Sequence, residues 1–241
     1  MKFIFFWVIL NLMRALAYDP DSMDSVTPPY LVYLKSDYLP CTGVLIHPLW
    51  VITSSSCNLP NLKVVLGVTN PSSVSEENVQ VVGYEKVINH PHFVITSIEN
   101  NLMLIKLNKH VEVNDYVKLV SLPKEPVTED TMCTVSTWAY NMYNVFKDPD
   151  SLQNVNISVI SKTQCEDVYK RYHVTKHMLC LGIVPGRRLP CREVTAAPAV
   201  CNGTLQGILA FVDGCTLRAD AGIYTRIFNY VPWIENTIQN N

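Results

Sequence analysis

Hydroxyl chemistry in this chain would have to come from two short stretches. Residues 50–60 read WVITSSSCNLP, an apolar run that meets three serines and then Cys57, and residues 193–198 read EVTAAP, with Thr195 as the hydroxyl. Acyl transfer by a hydroxyl nucleophile needs a base to take its proton, a group to orient that base, and donors for the oxyanion. An apolar strand running into a small-residue turn and a cysteine is a place to expect a catalytic histidine. Here the residue before Cys57 is Ser56, whose hydroxyl is no base at neutral pH. The six histidines lie elsewhere. His90 and His92 form an H-x-H pair in NHPHF that would bind zinc only if further ligands converged; no third ligand is evident, and the pair reads as a solvated loop. His47, in IHPLW, marks the turn before Trp50, while His110, His173 and His177 fall in polar connectors and read as surface. Arg187-Arg188 reads as a solvated loop.

The elements that would position these residues are strands. Runs rich in Val, Ile, Leu and Tyr recur between Pro, Asn and Gly turn signals at 30–35, 43–46, 50–53, 62–67, 79–87 and 102–107. A polar connector over 108–130 separates them from a second set at 133–138, 154–160, 178–183, 205–212 and 222–227. Two groups of strand-length runs predict an all-β fold of two antiparallel six-stranded barrels, about 18–115 and 116–228. Helical spacing is clear only at the end, where Tyr230, Ile234 and Ile238 recur every four residues and predict a C-terminal helix over about 229–239. SKTQCEDVYKRY (161–172) predicts a second, short helix with a serine cap and basic residues at its end.

Residues 1–17, MKFIFFWVILNLMRALA, read as a removed signal peptide: an apolar run after Lys2 closes on Ala15-Leu16-Ala17, and Arg14 interrupts it too early for a bilayer span. Secretion and an extracellular location follow as expectations, with no membrane span. A net charge of −2 gives no electrostatic case for nucleic acid or acidic membranes. Eight cysteines in a secreted chain argue for four disulfides, with the pairing left open. Asn156-Ile157-Ser158 and Asn202-Gly203-Thr204 are candidate glycosylation sites, whereas Pro71 blocks the sequon at Asn70.

PYLVYLK, Cys41-x-Gly43-Val-Leu-Ile, Trp50-Val-Ile-Thr, Cys57, LMLIKL, Cys191 through Pro198 to Cys201, LQGI, GIYT and the closing YVPWIENTI together resemble the trypsin-like serine proteases over essentially the whole mature chain. The resemblance implies disulfides Cys41–Cys57, Cys133–Cys201, Cys165–Cys180 and Cys191–Cys215. It also implies that Ser56 stands where the family has its histidine base, Asn101 where it has the orienting aspartate, and Thr195 where it has the serine nucleophile. Glu193 replaces an oxyanion-hole glycine, and Val194 the aspartate that receives the new N-terminus on activation. No IVGG or basic cleavage site stands between Tyr18 and Tyr30. Leu189 takes the place of the basal aspartate of trypsin's specificity pocket, and Ala210-Phe211-Val212 that of its Ser-Trp-Gly wall, with Val212 expected to narrow the entrance. Val68 falls where a calcium ligand belongs, leaving Glu76 and Glu77, so no metal is expected, and no cofactor. The expected function is that of a secreted, catalytically inactive protease homologue, monomeric, that binds an extracellular protein or peptide. The alternative is a weak hydrolase using Thr195 with a base recruited from elsewhere.

Overall fold

The computed structural model describes residues 26–72, 78–140, 148–149, 151–170, 172–182, 194–212 and 221–241. Its first seven strands are β1 (Leu31–Lys35), β2 (Cys41–His47), β3 (Trp50–Thr53), β4 (Lys63–Leu66), β5 (Gln80–Val82), β6 (Tyr84–Asn89) and β7 (Met103–Leu107). They form one sheet in the order β5-β4-β1-β2-β3-β7-β6, with every pairing antiparallel. Only Gly83 separates β5 from β6, so the two edges of the sheet are halves of one bent strand and the sheet curls closed. A Cβ at the bend would lie 2.6 Å from Asn108 Nδ2 and would push that side chain aside, while the Asn108 N–H donates to the Gly83 carbonyl at 3.0 Å. All four residues of β3 are buried. Apolar neighbours cover both its faces: Val51 and Ile52 belong to a cluster that reaches Ile208, Ile227 and Ile234 in the second half of the chain.

The second sheet contains β8 (Met132–Ala139), β9 (Ser151–Ser158), β10 (Met178–Gly182), β11 (Pro198–Cys201), β12 (Thr204–Val212) and β13 (Ala221–Arg226), in the order β10-β13-β12-β11-β8-β9. Its ends meet through an antiparallel bridge between Val159 and Leu181 and through the Ile160 N–H donating to the Cys180 carbonyl at 3.0 Å. β11 is absent from the strands expected above; it is four residues long and begins Pro-Ala, which dilutes the β-branched signal. Asn202 (φ 49°) and Gly203 (φ 75°) join β11 to β12 as the two left-handed residues of a tight hairpin turn.

The helix after β9, α1 (Lys162–Val168), carries the expected serine cap: the Gln164 N–H donates to Ser161 Oγ at 3.1 Å and the Ser161 N–H to Gln164 Oε1 at 2.9 Å. It stops before Lys170, so its last turn holds no basic residue, unlike the longer helix expected to end in basic residues. A 3₁₀ turn (Ile227–Tyr230) leads into the terminal helix α2 (Val231–Gln239), which buries Ile234 and Thr237. Disulfides join Cys41 to Cys57, Cys133 to Cys201 and Cys165 to Cys180. Cys191 and Cys215, and with them the fourth bridge, lie outside the described residues.

Candidate functional site

β3 ends at Thr53 and runs into a single 3₁₀ turn, Ser55–Cys57, capped by Ser54. Each serine of the turn has a separate task. Ser54 Oγ accepts the Ser56 N–H at 3.2 Å and donates to Asn101 Oδ1 at 2.7 Å. Ser55 Oγ donates to the Leu102 carbonyl at 2.7 Å. The Ser56 N–H also reaches Asn101 Oδ1 at 3.1 Å, and Asn101 Nδ2 donates to Ser56 Oγ at 3.1 Å. Asn101 follows Asn100, held at φ 53°, just ahead of β7, and is buried. Its carbonyl accepts from Thr225 Oγ1 at 3.2 Å, a tie between the two sheets. Sequence reasoning named Ser56 and Asn101 but missed Ser54, which makes the shortest hydrogen bond to the amide. The whole cluster is neutral: an amide and hydroxyls exchange hydrogen bonds, and none of them takes up a proton at neutral pH.

Thr195 is exposed and held by its backbone. Its carbonyl accepts from the Thr42 N–H at 2.9 Å, and Thr195 bridges to Cys41 in parallel fashion. Cys41 is disulfide-bonded to Cys57, the neighbour of Ser56, so Cys41 ties the two hydroxyl-bearing segments together. Among the described residues no side chain hydrogen-bonds to the Thr195 hydroxyl. The histidines with recorded partners engage other groups: His47 Nδ1 accepts the Leu49 N–H at 3.1 Å, His173 Nδ1 lies 3.0 Å from Glu166, and His90 stacks edge-on against Tyr230 and Trp233 at centroid distances of 5.1 and 4.9 Å. That packing corrects the reading of the His90–His92 segment as a solvated loop; His92 alone is exposed. His177 likewise is only partly exposed, with Nδ1 buried. Burial first, then His92 and His177, holds the His90 pKa below its ordinary value.

The residues flanking Thr195 are set firmly. Val194 is 1% exposed, in an apolar cluster with Leu31, Tyr33, Val68 and Trp138. Its N–H donates to the Trp138 carbonyl at 2.8 Å, and its carbonyl accepts from Thr137 Oγ1 at 2.7 Å. Ala196, at φ 66°, occupies a backbone region that favours glycine. On β12 the ladder with β13 slips between Leu209 and Phe211, passing over Ala210. The Phe211 ring stacks on Tyr172 at 4.7 Å and on Tyr169 at 5.6 Å, an aromatic wall that the sequence reading did not anticipate. Leu189, Glu193, Glu76, Glu77, Arg187, Arg188 and residues 1–25 lie outside the described residues, as does the Val212 side chain.

Comparison with known proteins matches residues 21–234 to the family described as Trypsin. Over its whole length, and the whole of the relative, the chain is 70% identical to "Probable inactive serine protease 58" of Bos taurus. Likewise over the full length of both, it is 66% identical to "Serine protease 58" of Homo sapiens.

Proposed function

The chain belongs to the trypsin family, and from that premise we propose that it is a secreted pseudoprotease, which keeps the two-barrel scaffold, lacks hydrolytic chemistry, and acts outside the cell as a monomer that binds a protein or peptide. In this reading Ser56 occupies the base position, Asn101 the orienting position and Thr195 the nucleophile position. One observation carries it: Ser56 and Asn101 satisfy one another within a neutral hydrogen-bond set, and among the described residues no side chain hydrogen-bonds to the Thr195 hydroxyl to accept its proton. An asparagine could not stabilise an imidazolium even if one stood there.

The remaining substitutions point the same way. Val194, as the activation position, lies in an apolar cluster where an ion pair with a new N-terminus has no partner charge. Glu193 takes the place of a glycine whose N–H faces the oxyanion, and its side chain limits that donor's backbone. Leu189 cannot form the ion pair that selects Lys or Arg, and Ala210, Phe211 and Val212 reshape the pocket wall. The bovine relative's name, "Probable inactive serine protease 58", supports the assignment.

Three disulfides fit an oxidising compartment. Asn202 is exposed on the two-residue hairpin turn. Asn156 lies on β9 with its Oδ1 taken by Thr134 Oγ1 at 2.8 Å. The test is incubation of the purified mature protein with a fluorophosphonate probe followed by peptide mapping. No adduct is expected at Thr195; covalent labelling there would overturn the proposal.

A further inference from the structure

A second concave site, whose lining includes neither Ser56, Asn101 nor Thr195, lies where α1 and the segment after it meet β10 and β13. The cavity measures about 530 Å³, and three of its lining residues carry cationic side chains: Lys162, Lys176 and Arg226. Apolar walls are supplied by Ile160 and Met178. No carboxylate lines it among the described residues. Two acids bond to lining residues, and both are engaged. Glu166 lies 3.5 Å from Lys162 Nζ and 3.0 Å from His173 Nδ1 and accepts the Val174 N–H at 2.9 Å. Glu99 accepts from Thr175 Oγ1 at 2.6 Å.

Among the described residues, Arg226 and Lys176 are the lining cations without an acid. Arg226 is half-buried; its Nε donates to the Met178 carbonyl at 3.1 Å, which orients the guanidinium and leaves its Nη groups for another acceptor. No ion pair forms to it among the described residues, and burial alone pulls its pKa down. The group nevertheless stays charged. Lys176, exposed beside it, also has no acidic partner among the described residues. Partial burial of a cation without a counter-ion is costly unless something satisfies it. A guanidinium fork with ammonium groups around it suits a tetrahedral oxyanion, and a concave wall of one sign concentrates anions.

We propose that this cavity is a binding site for a sulfate or phosphate ester group, with Arg226 as its forked donor and Lys176 and Lys162 as flanking charges. The proposal is independent of whether Thr195 is inert. It differs from a generally basic surface, because the whole chain carries a net charge of −2 and the unpaired cations converge on one hollow.

The experiment titrates the full mature protein at constant ionic strength with glucose 6-sulfate, glucose 6-phosphate and glucose, following the Arg226 Nε–Hε and Lys176 amide resonances. Saturable shifts at both positions are expected with one or both esters and none with glucose; the tighter ester identifies the source of the oxyanion. Lys176→Gln, an exposed change that leaves the fold alone, should weaken binding roughly tenfold, and Arg226→Gln by at least as much, since each removes a charge-assisted hydrogen bond. Lys118→Gln, in a different part of the fold, should leave the affinity unchanged. Equal affinity in wild type and Lys176→Gln, shifts without saturation, or glucose binding as well as its esters would overturn the proposal.

Discussion

Ser56 and Asn101, 45 residues apart in sequence, hold each other through two hydrogen bonds of 3.1 Å, backbone N–H to amide oxygen and amide N–H to hydroxyl. The pair acts as a structural joint. The same amide oxygen accepts from Ser54 Oγ at 2.7 Å, and the Asn101 carbonyl accepts from Thr225 on the opposite sheet. The joint therefore anchors the capping turn after β3 to the start of β7 and, through it, one barrel to the other.

Asn101→Ala removes that acceptor and leaves the buried Ser54 hydroxyl and the Ser56 N–H without it. The expected loss is about 1–3 kcal/mol of stability, read as a lower urea midpoint with an unchanged denaturant slope. A variant as stable as wild type would show that water replaces the amide at no cost.

Restoring a catalytic set alone should not restore catalysis. The triple variant Ser56→His, Asn101→Asp, Thr195→Ser would regain the residue types of a hydroxyl nucleophile with its base, but residue 194 remains a valine packed among Leu31, Tyr33, Val68 and Trp138 rather than a carboxylate. Hydrolysis of Arg- and Lys-containing peptides by the triple variant is expected to stay at the level of the uncatalysed reaction. Trypsin-like turnover would mean that the oxyanion donors survive without activation.

His90 makes stability depend on pH. It packs against Tyr230 and Trp233 from the C-terminal segment and faces His92 and His177; Glu99 acts on the same Tyr230 hydroxyl. Burial, with the two histidines adding to it, lowers the His90 pKa from 6.5. Below that value the unfolded chain takes up the proton first, so it binds more protons than the folded chain, and stability falls as pH falls. Urea midpoints at about pH 7.5 and about pH 5.5 should differ more for wild type than for His90→Gln. His47 shifts in the same direction, first through burial, and leaves a residual slope in the variant. An identical pH dependence in both proteins would remove His90 as its source.

What was legible in the sequence follows the range of the forces involved. Trp50–Thr53 and Met103–Leu107 are readable as strands because their apolar runs and turn boundaries are local, and the Ser161 cap because its partner Gln164 is three residues away. The barrel closure at Gly83 is only half visible: the run 79–87 reads as one strand, and the Asn108 N–H that bonds the Gly83 carbonyl at the bend comes from another segment. His90 reads as solvated because the rings that cover it arrive some 140 residues later, an order-of-magnitude separation typical of non-local β folds. At the site, it is the resemblance to the trypsin-like proteases that points to Ser56, Asn101 and Thr195. It does not disclose that Ser54 completes the set, since its bond to Asn101 exists only once β3 and β7 are paired.

The central claim is that Thr195 has no partner able to take its proton. The most direct measurement is turnover of a diverse peptide library by the purified mature protein beside its Thr195→Ala variant across the neutral pH range. The two should be indistinguishable from each other and from buffer at every pH. A pH-dependent hydrolysis rate present in the wild type and lost in Thr195→Ala would contradict the account.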